Sequence, residues 1–267
     1  METIIDRSDT SLQGRFFELV VLPVLGIGTL FIVWSAVAGS GLVTEQFLPG
    51  PMAVFREIFG LTQEPYAGSL LQTHLFASLR KFISAFLLGA GVGVPLGLLM
   101  GRFESIDRIV GPLFQAVRFI PPIAWVPFSI LWLGTGFLAP VMVIFAGVFS
   151  SCVANSYAGV KQIDKSVIEA ARVLGLSGWM TLTEVLVPAA LPHIVAGLRI
   201  GAGFGWQSLI GAELIVGSTG LGYMIVQGES NLTATVVIAG MIVIGVVGAT
   251  IDLVMRQIEF RIRRRWS

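Results

Sequence analysis

Long apolar stretches alternate with short polar ones along the chain, and this alternation predicts six membrane-spanning helices. The apolar stretches cover about residues 17–38, 74–100, 109–133, 138–157, 191–216 and 233–255. Each is long enough to cross a hydrocarbon core of roughly 30 Å at about 1.5 Å per helical residue. The predicted fold class is therefore an all-α membrane protein with six transmembrane helices.

Two segments near the N-terminus allow two interpretations each. Residues 36–38 read Ala-Val-Ala, as at a signal-peptidase site, so the first apolar stretch is either a retained span or a cleaved signal peptide. Its length and the lack of an adjacent basic cluster favour a retained span. After the turn at residues 48–51, Met52, Phe55 and Phe59 recur at helical spacing. This helix either lies along the outer membrane face or packs on protein.

Glycines recur every four residues in two of the spans. One ladder consists of Gly89, Gly93, Gly97 and Gly101, and the other of Gly197, Gly201 and Gly205. Small residues at this spacing let two helix backbones approach closely, and lipid supplies no hydrophobic drive between helices to replace that packing. The ladders predict tightly packed inner helices.

The third apolar stretch contains four prolines, which are Pro112, Pro121, Pro122 and Pro127. Proline removes a backbone donor and clashes with the preceding turn. Broken backbone at membrane depth is tolerated where protein or a water-filled cavity satisfies it. The stretch is therefore predicted to be a broken span that lines a pathway.

Charge then sets the orientation. The chain is 55% hydrophobic and only 12% charged, against roughly 25% charged in soluble domains. If the N-terminus is cytoplasmic, twelve Lys and Arg residues fall on the cytoplasmic side and three on the outer side. Because basic residues are retained inside, both termini are predicted to be cytoplasmic. Arg80 and Lys81, near the start of the second span, are expected to snorkel to the interface.

Three regions follow from this topology. Residues 1–16 form a cytoplasmic N-terminal tail, residues 17–255 form a single transmembrane domain with a cytoplasmic loop at 160–188, and residues 256–267 form a basic cytoplasmic tail.

Enzymatic and metal-binding motifs are missing from the sequence. No Gly-Lys dipeptide occurs, so there is no P-loop for ATP. The only histidines, His74 and His193, are far apart, and neither has a second candidate metal ligand beside it. We therefore predict no catalytic residue, no metal site and no cofactor in this chain, and no nucleic-acid partner.

The cytoplasmic loop reads as two short helices around a glycine turn. Ser166 and Glu169 fit a capping box at the first helix, with Asp164 as the competing N-cap. Gly175 is expected to end that helix in a left-handed conformation. A second helix is expected over residues 179–187, stopped by Pro188. Such a knob either enters a cleft on a soluble partner or is an ordinary connecting loop.

Residues 169–188 resemble the EAA loop of ABC importer permeases, EAA-x3-G-x9-I-x-LP, with valine at both aliphatic positions. Other runs resemble the subfamily that imports taurine, aliphatic sulfonates and nitrate. They lie at residues 48–51, 118–127, 197–201, 205–206, 212–215 and 220–224.

The resemblance implies a type I ABC importer permease fold in a bacterial inner membrane, working as a homodimer. It further implies two cytoplasmic ATP-binding subunits, which would hold ATP and Mg²⁺, and an extracytoplasmic substrate-binding protein. The residues implied to couple to the ATPase are Ser166, Glu169, Ala170, Ala171, Leu174, Gly175 and Leu176. The implied cargo is a small organic anion, with taurine or another sulfonate as the leading candidate. Nitrate or bicarbonate, a vitamin precursor and an aromatic acid remain alternatives.

The candidate pathway or gate residues are charged, proline or tryptophan residues in the spans, namely Arg118, Pro121, Pro122, Trp125, Arg199, Trp206 and Glu213. Arg118 either attracts an anion or snorkels towards the cytoplasmic interface. Glu213 is a candidate for sealing the gate or docking the binding protein. The tryptophans either line the pathway or serve packing. A secondary transporter or channel without an ATPase remains a second class, whereas a membrane-embedded enzyme is disfavoured.

Overall fold

The computed structural model describes residues 21–266, and the side chains of residues 21–264. The predicted N-terminal tail and the first residues of the first span lie outside the described residues. Within them the chain forms ten helices and no strand. The helices are α1 (Leu22–Gly39), α2 (Pro51–Gln63), α3 (Leu71–Arg102), α4 (Glu104–Arg118), α5 (Val126–Leu133), α6 (Leu138–Lys161), α7 (Lys165–Val173), α8 (Gly178–Val216), α9 (Leu221–Ser230) and α10 (Ala234–Trp266).

Five of these helices, α1, α3, α6, α8 and α10, are long and apolar enough to cross a membrane. The sixth candidate span is the pair formed by α4 and the segment Pro122–Leu133, which meet at 93°. The segment starts with a 3₁₀ turn over Pro122–Trp125. Because Pro121 and Pro122 cannot donate backbone hydrogen bonds, α4 ends before them, and the predicted break in the third span is confirmed.

The centre of the bundle is α6, which packs between α3 and α8. A Cβ on Gly93 of α3 would lie 2.9 Å from Cβ of Cys152, and one on Gly201 of α8 would lie 3.4 Å from the carbonyl oxygen of Val148. Both glycine ladders therefore face α6, and the predicted close packing of the inner helices is confirmed. The three backbones approach so closely because no side chain stands between them.

The helices α1, α2 and α10 surround this core. Val54 and Leu61 of α2 are buried in it, whereas Met52 and Phe59 are exposed. This helix thus packs on protein with one face and exposes the apolar face that the sequence predicted. On α1, the indole N–H of Trp34 donates to the carbonyl oxygen of Pro49 at 3.0 Å.

The prediction that Pro188 stops a short second helix is wrong. The helix begins at Gly178 and continues through Pro188 to Val216. Residues Thr181–Leu186, just before the proline, form a wider π-helical turn. A π turn shifts the hydrogen-bond register by one residue, which accommodates a residue without an N–H. The loop knob and the fifth span are therefore one continuous helix.

Candidate functional site

Helix α7 and the turns on either side of it form the loop between α6 and α8. Asp164 is the N-cap, because its carboxylate accepts from the backbone N–H of Ser166 at 3.1 Å. The predicted capping box of Ser166 and Glu169 is wrong. The shorter Asx-type cap two residues earlier already satisfies the N–H that Glu169 would have taken.

The cap is charged at neutral pH. The hydrogen bonds from Ser166 hold the pKa of Asp164 below its usual value. Because the pKa is lowered in the folded protein, the carboxylate contributes its full stabilisation of α7 at pH values above the usual pKa of an aspartate. This contribution is lost as the pH falls through the lowered pKa.

The C-terminus of α7 is a Schellman turn around Gly175, with φ of +80°. The N–H of Leu176 donates to the carbonyl oxygen of Ala171 at 3.1 Å, and that of Gly175 donates to Arg172 at 3.0 Å. The predicted left-handed glycine is thus confirmed. The hydroxyl of Ser177 then caps α8 by accepting from the N–H of Met180 at 3.3 Å. The two helices, α7 and α8, are thus both capped at the turn between them, which restricts the backbone there to few conformations.

The loop has an inner and an outer face. Ala171 is buried, and Ile168 packs into a cluster with Leu182 and Leu186 at the start of α8. On the outer face Leu174 is 80% exposed, and Val167, Val173 and Trp179 are also exposed, as are Ser166, Glu169 and Ala170. An apolar tip on a rigid, well-seated turn is the kind of surface that a protein partner covers.

A cavity of about 290 Å³ lies where the bent pair faces α6. Its walls include Arg118, Pro122 and Trp125 of the bent pair, Ser150 of α6 and Phe204 of α8. Ser150 stands twelve residues after the first residue of α6 and eleven before the last. The cavity is therefore about halfway along a spanning helix.

Of the seven candidate pathway residues, the cavity brings three together, namely Arg118, Pro122 and Trp125. Pro121 is next to it at the bend. Arg199 binds Asp252 at 2.9 Å and Glu259 at 3.1 Å on α10, and so ties α8 to α10. Trp206 packs edge-on against Phe82 at 5.7 Å and donates to the carbonyl oxygen of Ile244 at 3.2 Å. These two side chains and Glu213 do not line the cavity.

Glu213 forms a buried ion pair that the sequence did not predict. Its carboxylate is 2.8 Å from Nζ of Lys81 and also accepts from Ser78 and from the N–H of Gly222 at 3.0 Å. The expectation that Lys81 snorkels to the interface is therefore wrong, because its side chain is only 5% exposed. Lys81 and Glu213 are 132 residues apart, so no local pattern links them. The available sequence signal was that Glu213 is a charged residue within a span and has no oppositely charged residue near it in sequence, which indicates a partner elsewhere in the chain.

His74, Ser78 and Lys81 share one face of α3 and hold the connection between α8 and α9. Nδ1 of His74 accepts from the N–H of Gly220 at 3.2 Å, and the hydroxyl of Ser78 accepts from the N–H of Leu221 at 2.9 Å. Every polar group of this network is paired, which is what burial requires. The far end of α8 is thus fastened to α3.

The family model of the binding-protein-dependent transport system inner membrane component matches residues 93–264. The chain belongs to this family. It is an ABC importer permease component, and its apolar helices make it a multi-pass protein of the inner membrane.

Three relatives place the permease within the family. It is 34% identical to the taurine transport system permease protein of Escherichia coli over 89% of this chain and 88% of that protein. It is 41% identical to a putative ABC transporter permease protein of Methanocaldococcus jannaschii, over 91% and 90%. It is 31% identical to the nitrate import permease protein of Synechocystis, over 92% and 90%. The predicted subfamily is confirmed.

Two solved structures share the fold. One is the inward-facing methionine ABC transporter MetNI, with a TM-score of 0.65 and 22% identity over 72% of this chain and 95% of that one. The other is a bacterial alginate ABC transporter in complex with a periplasmic protein bound to alginate pentasaccharide, with a TM-score of 0.62 and 16% identity over 93% and 96%. The predicted ABC importer permease fold is confirmed.

Proposed function

We propose that the permease is the transmembrane subunit of an ATP-driven importer. It works as a homodimer with two cytoplasmic ATP-binding subunits, which hold the ATP and Mg²⁺, and it receives cargo from an extracytoplasmic binding protein. Both termini and the α7 loop face the cytoplasm. The observation that carries this proposal is the α7 loop, whose exposed apolar tip stands on a capped turn. The sequence itself has no P-loop, so energy must enter from a partner.

The α7 loop is built to pass a movement into the membrane. Ile168 and Ala171 seat α7 on the first turns of α8. The 39 residues of α8 span roughly 58 Å in all, and the network around Glu213 lies near the far end of this helix. A displacement of α7 by the closing ATPase therefore acts on an element that crosses the whole bilayer. The switch between inward and outward openings requires ATP and the loaded binding protein to favour the two states differentially.

The cargo in this proposal is a small organic anion, with taurine and other sulfonates as the leading class. Arg118 supplies a positive charge at a cavity halfway along α6. The relationship to a taurine permease supports the sulfonate class, and the relationship to a nitrate permease keeps inorganic anions as the alternative. The pathway role of Arg118, Pro122 and Trp125 is part of the proposal.

The test is Gly175→Val in a reconstituted transporter. A β-branched side chain resists φ of +80°, so the turn must open and the tip of α7 must shift. We expect ATP-driven uptake of taurine into proteoliposomes to fall at least tenfold, while membrane insertion is unchanged.

Gly178→Ala is the matched control. It lies three residues away, does not need a left-handed backbone and has room for a Cβ. Normal uptake by the Gly175→Val variant would contradict the coupling role. Uptake that persists without any ATPase would instead identify a channel or secondary transporter.

A further inference from the structure

The cavity behind the bend has walls of two chemical kinds. Its charged and hydroxyl side chains are Arg118, Ser150 and Ser151. Most of its remaining surface is apolar and rich in aromatic rings, with Phe114 of α4 and Phe149 of α6 packed edge-on at 6.3 Å. A volume of about 290 Å³ is close to the lower end of the roughly 300–1,000 Å³ of small-molecule pockets.

The polar groups have hydrogen-bonding capacity to spare. Serine in a helix commonly donates to a carbonyl one turn earlier, as Ser208 does to Phe204 at 2.6 Å. Within the described part of the chain, neither Ser150 nor Ser151 donates its hydroxyl to any group. Arg118 has no carboxylate partner there either, and its guanidinium lies 5.1 Å from the centre of its neighbour's ring, Phe119. Two hydroxyls and a guanidinium are together a set of donors for the oxygens of an anion.

The rest of the lining offers no negatively charged partner for a positive group on the ligand. Among the described residues that line the cavity there is no Asp or Glu. An ammonium group brought there would lose its hydration without gaining a counter-charge, which is costly. A hydrocarbon chain against the same rings gains from leaving water. A small inorganic anion could use the donors but would leave the apolar walls without a partner.

We propose that this cavity is a selective subsite for an organic oxyanion with an apolar body, with an alkanesulfonate as its fitting ligand. Arg118, Ser150 and Ser151 bind the sulfonate oxygens, and the aromatic wall takes the alkyl chain. The inference deepens the proposed function, on which it rests, because it gives the permease its own preference within the organic anions. It ranks alkanesulfonates above zwitterionic taurine and above nitrate.

The test is equilibrium binding to the full chain in lipid nanodiscs, measured by calorimetry without ATPase or binding protein. Taurine and 1-propanesulfonate are close in size and share the sulfonate, but one ends in an ammonium group and the other in a methyl group. We expect 1-propanesulfonate to bind at least tenfold more tightly than taurine or nitrate. Equal affinities, or no binding of 1-propanesulfonate, would overturn the proposal.

A substitution of Arg118 and an uncharged ligand distinguish loss of sulfonate recognition from distortion of the cavity. Arg118→Gln is expected to weaken 1-propanesulfonate binding roughly tenfold or more, as for loss of a hydrogen bond to a charged group. Binding of the uncharged 1-propanesulfonamide should not change, whereas a distorted cavity would weaken both ligands. Arg80→Gln is the control, because Arg80 lies over the ring of Phe137 and away from the cavity lining.

The outcomes also separate this proposal from the proposed function. If ATP-driven import proceeds but Arg118→Gln leaves 1-propanesulfonate binding unchanged, the subsite is refuted and the importer stands. If binding follows the expected order but no ATP-driven import occurs, the subsite stands and the importer assignment fails.

Discussion

Glu213 is the residue around which the far end of α8 is shaped. Its side chain is buried, and the following turn folds over it so closely that a Cβ on Gly220 would overlap the carboxylate. Gly220 also has φ of +124°, which favours glycine. Lys81 supplies the counter-charge at 2.8 Å, and its Nζ also donates to the carbonyl oxygen of Thr219 at 2.5 Å. Removing any one of these groups leaves a buried charge or a displaced loop.

Gly220→Ala should therefore be among the most destabilising small substitutions in the permease. The new methyl group forces the carboxylate off its donors, and breaking a buried pair costs about 3–5 kcal/mol. Equilibrium unfolding in detergent and SDS mixtures measures the loss. Gly41→Ala is the control, because Gly41 also has positive φ, of +74°, but open space around it. It should cost only the backbone strain, roughly 1–2 kcal/mol. Equal losses in the two variants would show that the carboxylate is not involved.

At the scale of the helices, the glycine ladders decide how closely α3 and α8 approach α6. A Cβ at Gly97 would lie 2.5 Å from the carbonyl oxygen of Val153 and 2.8 Å from Cβ of Ser156. Backbone atoms cannot rotate out of the way as a side chain can. The same helix has Gly91 on another face, with no atom within 4 Å of its added Cβ. The two glycines differ only in what they face.

Gly97→Ala should push α3 away from α6 and destabilise the bundle by about 1–3 kcal/mol, the usual cost of overpacking. Gly91→Ala should be neutral or slightly stabilising, since alanine is the better helix former. Unfolding of both variants under the same conditions measures the difference. A neutral Gly97→Ala would mean that the helices tolerate a wider spacing than the structure has.

The whole permease has two distinct ends. The α7 loop and the turn between α3 and α4 lie at one end, and the connection from α8 to α9 lies at the other. Ser78 near the start of α3 binds Glu213 near the end of α8, whereas Arg102 at the end of α3 lies next to Gly178 at the start of α8, so the two helices are antiparallel. The proposed orientation puts the first end in the cytoplasm. The chain has a single cysteine, Cys152, which is buried, so its background labelling should be low.

Two single Ser→Cys variants test this orientation. Ser105, in the first turn of α4, and Ser230, at the end of α9, are both exposed. A membrane-impermeant maleimide should label Ser230→Cys in intact cells and Ser105→Cys only after the membrane is opened. The reverse pattern would place the α7 loop outside, beyond the reach of a cytoplasmic ATPase.

Local sequence was sufficient for much of this architecture. Hydropathy gave the spans because a helix must hide its backbone from lipid whatever its neighbours are. The prolines marked the bend, and the spacing of Gly175 marked a left-handed turn, because both are properties of the backbone at that position. The glycine ladders indicated which helix faces pack closely. They did not indicate that both faces pack on α6.

Helix packing was needed for the rest, since it alone brings distant polar groups together. The side chains that bind Glu213 and Arg199 are more than fifty residues away in sequence. The cavity likewise combines side chains of α4, α6 and α8, and its size depends on the angle of the bend. Even Pro188, which locally reads as a stop, lies inside a helix because the preceding turn widens and the packed span holds it in place. The local sequence determines which backbone conformations each segment favours. The free energy of helix packing decides which of these conformations forms and which distant side chains become partners.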